Sequence, residues 1–101
     1  AKAETEVVPD NFELHSNFPN PFNPSTTIRF GLPSPSNVSL KIYNIQGQEI
    51  RTLVGDYLSG GYYDAVWDGK DEAGSQVASG IYIYRLQAGN FVQSKKMTYI
   101  K

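Results

Sequence analysis

The chain has 101 residues, with nine Lys and Arg against ten Asp and Glu, one His and no Cys. This length suits a single domain, and the near-neutral charge provides no basic field for nucleic acid. Without Cys, disulfides and cysteine-based zinc sites are excluded, and His15 cannot form a metal cluster by itself. No apolar run approaches the length of a membrane-spanning helix. We therefore expect one domain with no cofactor, no nucleic-acid partner and no membrane span.

Residues 1–11 are largely polar and include Pro9. This composition predicts a linker or lead-in that a protease trims first, and it places the folded domain at residues 12–101. The chain lacks an initiator Met, and no charged segment followed by an apolar stretch marks a signal peptide. We interpret the chain as a piece of a longer precursor and expect Lys101 to be a natural C terminus.

From Phe12 onward, short segments with a period of two alternate with turns rich in Gly, Pro and Asn. This spacing is typical of an antiparallel sandwich or barrel, and seven segments favour a sandwich over an eight-stranded barrel. The predicted fold is all-β, a seven-stranded antiparallel immunoglobulin-like β-sandwich. The predicted strands are 12–15, 26–32, 38–43, 48–54, 62–67, 80–88 and 91–100.

The segment between the first two predicted strands carries Pro19, Pro21 and Pro24. Each proline removes a donor from a sheet ladder, so this segment is predicted to be an ordered irregular crossover and not a central strand. We expect Phe18 and Phe22 to insert its two ends into the core. The alternation within the strands predicts eight further core residues: Ile28, Phe30, Val38, Leu40, Ile42, Trp67, Tyr82 and Leu86.

The longest polar connection contains Asp68, Asp71 and Glu72. Three carboxylates could ligate Ca²⁺, but the loop is too short for an EF-hand and lacks its spacing. The favoured alternative is a turn in which Asp68 accepts hydrogen bonds from backbone N–H groups while Gly69 and Gly74 adopt positive φ. Acid–base catalysis needs two carboxylates held across a cleft. The only close set of carboxylates, Asp64, Asp68 and Asp71, lies on one strand end and the loop that follows it, so we expect no enzymatic activity.

Four stretches of the sequence, in this order, are typical of one family. Together they resemble the C-terminal sorting domain of type IX secretion cargo, a family that is itself similar to the Ig-like domain of flagellar hook-capping proteins. The resemblance covers about residues 12–101, and it is specific because all four stretches occur at this spacing. The stretches are Asn17–Ile28, Ile42–Gly47, Trp67–Asp71, and Ser79–Tyr82 with Lys95–Met97.

The resemblance implies a seven-stranded Ig-like sandwich at the C terminus of a secreted protein of a Gram-negative bacterium. Such a domain has no reaction of its own and directs its cargo across the outer membrane to the cell surface. The implied partners are the outer-membrane type IX translocon, a surface sortase-like peptidase and an N-terminal cargo domain in the same precursor. The implied location is the periplasm in transit, then the cell surface or medium, with cleavage within Ala1–Asn11.

The resemblance also implies which residues the translocon recognises. A structural interpretation stands beside the functional one for most of them, since Pro19 and Pro21 would stiffen a crossover and lysines on an edge strand would prevent aggregation. Lys95 and Lys96 are consecutive in a strand and should point to opposite faces. The implied recognition residues are Pro19, Asn20, Pro21, Gly80, Tyr82, Lys95 and Lys96.

Two other functions stay open from the sequence. A carbohydrate-binding module of an extracellular hydrolase would need a coplanar row of exposed aromatics, for which Tyr57, Tyr62 and Tyr63 are the candidates. Trp67 could stack on a sugar ring, but a core tryptophan packed between two sheets is the favoured interpretation. The other alternative is a structural Ig-like module in a filament or cap, which would self-associate.

Overall fold

The computed structural model describes residues 8–101 and contains seven strands. They confirm the predicted fold class, and β2 and β6 have the predicted bounds. The first strand is shorter than predicted and the fourth is longer. The strands are β1 (Glu13–Leu14), β2 (Thr26–Leu32), β3 (Ser36–Asn44), β4 (Glu49–Leu58), β5 (Gly61–Trp67), β6 (Gly80–Ala88) and β7 (Phe91–Tyr99).

The strands form two antiparallel sheets that pack face to face. One has three strands in the order β1-β2-β5, and the other has four in the order β4-β3-β6-β7. β4 pairs with β3 through two register shifts, whereas β7 pairs with β6 without interruption from Gly80↔Tyr99 to Ala88↔Phe91. β7 is therefore a long and regular strand at the edge of the larger sheet.

The core follows from the alternation of apolar side chains along the strands. In β2, β3 and β6 every second residue is buried, so each strand turns one apolar face to the opposite sheet. All eight predicted core residues are buried, which confirms that prediction. Residues 8–101 include no helix that could cross a membrane.

The prediction for the two ends of the crossover is half right. Phe22 is buried, but Phe18 is 79% exposed. The reason is the register of Phe18, whose backbone N–H and C=O both bond to Thr27 at 2.9 Å. Residues directly opposite in an antiparallel pair share a face, and Thr27 lies on the outer face because its neighbours Thr26 and Ile28 are buried. The side chain of Phe18 therefore points to solvent.

The predicted linker is only partly within the described residues. Residues 1–7 lie outside the described residues. Most of the implied cleavage region, and the segment predicted to be protease-sensitive, therefore also lie outside them. Of the remainder, Pro9 is buried against β2. A Cβ at Gly31 would lie 2.9 Å from the Pro9 Cγ, so glycine at this position permits the close contact.

Candidate recognition site

An aromatic cluster ties four parts of the chain together at one end of the sandwich. The ring of Phe22, from the crossover, lies 4.9 Å from the ring of Tyr99 and 5.5 Å from that of Trp67. Trp67 in turn packs edge-on against Tyr82 at 5.3 Å. Each such pair contributes about 0.5–1.5 kcal/mol beyond its buried area. The cluster therefore fixes the crossover against the ends of β5, β6 and β7.

A second group of contacts anchors the start of the crossover. Asn17 is buried, and its Nδ2 donates to Thr26 Oγ1 at 3.0 Å and to the Pro19 carbonyl at 3.3 Å. The Thr26 hydroxyl also donates to the Pro19 carbonyl, at 2.8 Å. These bonds hold Pro19 and the residues after it in one conformation. The sequence interpretation missed Asn17 and Thr26, because alternation indicates burial and not the partner of a polar side chain.

The hydroxyl of Tyr84 joins the two sheets at the same place. It accepts a hydrogen bond from the Asn17 N–H at 3.0 Å and donates to the His15 carbonyl at 2.7 Å. The sequence contains one signal for this role. A tyrosine in a core-patterned strand position needs a partner for its hydroxyl, and β6 has Tyr84 at such a position.

We expect Tyr84→Phe to lower the free energy of unfolding by about 1–3 kcal/mol, because the buried Asn17 N–H loses its acceptor. Burial raises the pKa of Tyr84 above its usual 10.0, although the Asn17 N–H lowers it in part, and burial raises that of Tyr82. A raised tyrosine pKa favours the neutral form in the folded state. Stability should therefore hold up to about pH 10 and fall above it.

Urea unfolding of the wild type and of Tyr84→Phe from pH 7 to pH 11 checks both parts of this prediction. The phenylalanine variant lacks one of the two tyrosine hydroxyls whose pKa is raised by burial, so its stability should decline less steeply above about pH 10. Equal slopes for the two proteins would contradict the assignment of the pH dependence to Tyr84, and equal stability at pH 7 would contradict the structural role of its hydroxyl.

The crossover continues onto the open edge of β7. The N–H of Thr98 donates to Asn20 Oδ1 at 2.9 Å, and the Thr98 carbonyl accepts from the Phe22 N–H at 3.0 Å. The Phe22 carbonyl then accepts from the Ile100 N–H at 3.1 Å, which makes a short parallel pairing with β7. Asn20 thus has a structural contact in addition to any recognition role.

The predicted recognition residues are not all accessible. Pro19, Asn20 and Pro21 are exposed on the crossover. Gly80 pairs with Tyr99 and has a φ of 152°, a conformation that favours glycine. Tyr82 is 7% exposed, and its hydroxyl donates to the Ala78 carbonyl at 2.7 Å. The structure therefore places Tyr82 in the core, where it supports the surface and is not part of it.

Lys95 and Lys96 extend this surface along β7. Lys95 lies opposite Tyr84 on the core-facing side and is half-buried, whereas Lys96 lies opposite Ile83 on the outer side and is exposed. The expected division between the two faces is confirmed. Lys96 is two residues before Thr98, to which Asn20 bonds. We call the exposed residues Pro19, Asn20, Pro21 and Lys96, with the half-buried Lys95, the crossover–β7 surface.

The polar loop after Trp67 is a turn, as the favoured interpretation predicted. Asp68 Oδ1 accepts from the Lys70 N–H at 3.1 Å and pairs with Arg51 at 2.7 Å. Asp71 Oδ1 accepts from two further backbone N–H groups, at 2.9 and 3.0 Å. Gly69 and Gly74 have φ values of 76° and 86°. In the part of the chain that the structure describes, no three acidic or His side chains form a metal-binding group.

We expect EDTA to leave the melting temperature of the domain unchanged. Like Asp68 and Asp71, Glu72 already has a partner, since it accepts a hydrogen bond from the Thr52 N–H at 2.7 Å. A bound ion would stabilise the folded state by mass action. Thermal unfolding with and without chelator, in the presence of added Ca²⁺, checks this, and a drop of several degrees on chelation would contradict it.

The aromatics do not form the row that carbohydrate binding would need. Trp67 is fully buried, so it is unable to stack on a sugar. Tyr62 and Tyr63 are consecutive in β5 and point to opposite faces; Tyr63 stacks on Phe30 at 5.5 Å, while Arg29 lies 4.8 Å from the ring of Tyr62. Tyr57 is exposed on β4, in the other sheet. That alternative therefore has no support from the described surface.

Comparison with known proteins places the chain in a family. The FlgD Ig-like domain matches residues 19–97. The chain belongs to the FlgD Ig-like domain family. Members of this family are typically non-catalytic. No curated protein matches the chain.

Two solved structures are similar to this FlgD Ig-like domain. Dimeric latent PorU from Porphyromonas gingivalis matches with a TM-score of 0.71 and 28% identity over 93% of the chain. PorZ, described as an essential surface component of the type IX secretion system of Porphyromonas gingivalis, matches the fold with a TM-score of 0.55 and 20% identity over 100% of the chain. The domain spans 10% of PorU and 13% of PorZ. These likenesses fit the type IX sorting domain that the four stretches resemble.

Proposed function

We propose that the chain is a non-catalytic C-terminal sorting domain, which directs a secreted cargo protein across the outer membrane by the type IX route and to the cell surface. Its partners would be the outer-membrane translocon, a surface sortase-like peptidase and the cargo domain of the same precursor. The domain would act as a folded recognition signal: the translocon would bind one of its surfaces, and no covalent chemistry occurs in the domain itself.

One observation carries the proposal. The four family-typical stretches, scattered along the sequence, meet at one end of the sandwich. Phe22, Trp67 and Tyr82 come from three of them and pack together, and Asn44 from the remaining stretch pairs with Tyr82. A common core at that end would explain some of these residues. It does not explain the exposed Pro19 and Lys96, which support recognition by a partner.

A fusion of residues 1–101 behind a periplasm-targeted reporter tests the proposal in a bacterium that has type IX secretion. We expect the reporter to reach the cell surface or the medium. A reporter that stays in the periplasm while the domain is folded would overturn the sorting role and favour a structural Ig-like module.

The double variant Lys95→Ala and Lys96→Ala tests the surface itself. Substitutions at surface positions usually change stability by no more than about 0.5 kcal/mol, and neither lysine is fully buried, so the variant should fold. We expect its reporter to stay in the periplasm. The matched control is Arg29→Ala with Lys41→Ala, which changes the net charge equally and lies outside β7 and the four stretches. Normal export of the first variant would assign the two lysines to edge protection.

A further inference from the structure

β7 presents a partly covered edge. Successive residues of a strand direct their backbone N–H and C=O groups to alternate sides. The N–H and C=O of Thr98 bond to the crossover and not to β6. By the same alternation, the corresponding groups of Val92, Ser94 and Lys96 point to the same open side. Within residues 8–101, no backbone or strand partner covers those three positions.

This edge differs from the other edge of the same sheet. β4 is irregular, with register shifts near Leu40 and Ile42, and such bulges hinder the addition of a further strand. β7 keeps one register over its full length. Its C-terminal end already accepts an extended segment, because Phe22 pairs with it in parallel. The uncovered part therefore has the geometry that strand addition needs.

The charges beside this edge indicate what kind of strand fits. In an added strand, successive side chains lie on alternate faces. One would lie beside Lys96 on the outer face and the next beside Lys95 on the core-facing side. Arg85 is also exposed, on the outer face opposite Ser94. Acidic side chains at neighbouring positions complement all three cations, while basic ones are repelled.

We propose that the edge of β7 from Val92 to Lys96 binds an extended acidic segment of a partner protein, which adds to the larger sheet as a fifth strand. Backbone hydrogen bonds to Val92, Ser94 and Lys96 hold the segment, and Lys95 and Lys96 select its charge. Asn20 limits the site at its C-terminal end by occupying the N–H of Thr98. The proposal rests on the sorting role only in taking the partner to be a component of the export machinery.

Ser94→Pro tests the edge directly. Proline removes the outward N–H and places its ring where an added strand would approach, while the bonds of β7 to β6 use the other residues. With the reporter fusion, we expect export to fall at least about tenfold, and the matched control Ser94→Ala to export normally. Circular dichroism and thermal unfolding establish that both variants fold. If Ser94→Pro does not fold, Val92→Pro makes the same test at another outward position.

Charge-reversal variants and amide hydrogen exchange provide two further tests. Lys95→Glu with Lys96→Glu should abolish export, whereas Lys95→Arg with Lys96→Arg should retain it. In the isolated domain, the amides of Val92, Ser94 and Lys96 should exchange at least about tenfold faster than those of Gln93 and Lys95. This last measurement does not depend on export.

The outcomes separate the two proposals. Failure of the intact fusion to be exported would overturn the sorting role. Export of the intact fusion together with normal export of a folded Ser94→Pro or Val92→Pro variant would overturn strand addition and leave the sorting role standing. Equal exchange of the inward and outward amides would also overturn strand addition, because the edge would then be covered by another part of the chain.

Discussion

Trp67→Ala should lower the free energy of unfolding by about 3–5 kcal/mol, the range for removal of a large buried aromatic. The side chain is fully buried and contacts Phe22, Tyr82 and Tyr99. Its Nε1 donates to the Lys70 carbonyl at 2.9 Å, and this acceptor would lose its partner. Since a domain of this size has a total stability of about 5–15 kcal/mol, the variant would be marginal.

The control is Val66→Ala, at the preceding position of β5. Val66 points to the outer face and is 59% exposed, so its truncation should change stability by no more than about 0.5 kcal/mol. Urea unfolding followed by tryptophan fluorescence serves for the control, and circular dichroism for the variant that lacks Trp67. Similar losses in the two variants would contradict the central position of Trp67.

Most of the fold could be predicted from alternation alone. In β2 and β6 the alternate core-facing residues are buried, and the bounds of both strands match the prediction. β4 does not: most of its residues are only half-buried, because it lies at an edge and is bulged against β3. An edge strand lacks the second neighbour that enforces a clean pattern. Its end at Leu58 could not be read from the sequence for that reason.

The candidate site was predictable in its residue types but not in its arrangement. The prolines indicated a crossover, and consecutive positions placed Lys95 and Lys96 on opposite faces. The contact between Asn20 and Thr98 spans 78 positions of sequence and leaves no local signal. The same holds for the hydrogen bond between Asn17 and Tyr84. Such long-range polar contacts depend on how the sheets stack, which alternation does not determine.

Phe18 is a further residue whose environment could not be predicted from the sequence. An aromatic residue beside prolines was expected to be buried, and it is exposed because its backbone pairs with Thr27 on the outer face of the smaller sheet. A shift of one residue in that pairing would have reversed the outcome. Burial of a single apolar residue outside a regular strand therefore depends on register, which was not visible in the sequence.

Gly69→Ala should be the other strongly destabilising change, although it adds a single methyl group. Gly69 is buried and has a φ of 76°, a region where a side chain costs about 1–2 kcal/mol. An added Cβ would lie 2.9 Å from Gln76 Nε2 and 3.1 Å from the Tyr99 Cζ. The exposed Gln76 amide can move away, but Tyr99 is buried, and its displacement should cost a further ~1–3 kcal/mol.

Gly74→Ala separates the two contributions. Gly74 has a similar φ of 86° in the same loop, but a Cβ there would meet nothing within 4 Å. We expect Gly74→Ala to lower the free energy of unfolding only by the conformational cost of a side chain at positive φ, about 1–2 kcal/mol. The difference between the two variants in urea unfolding then measures the contact of Gly69 with Gln76 and Tyr99.

This contact also connects the loop to the proposed recognition site. The Gln76 amide donates to both the Gly69 carbonyl and the Tyr99 hydroxyl, and Tyr99 is the last residue of β7. Displacement of Tyr99 by the new methyl group would disturb Phe22, which stacks on it and pairs with the end of β7. We therefore expect Gly69→Ala to reduce export of the reporter fusion more than Gly74→Ala. Equal stability losses for the two glycine variants would show that a methyl group at Gly69 does not displace Tyr99 of β7.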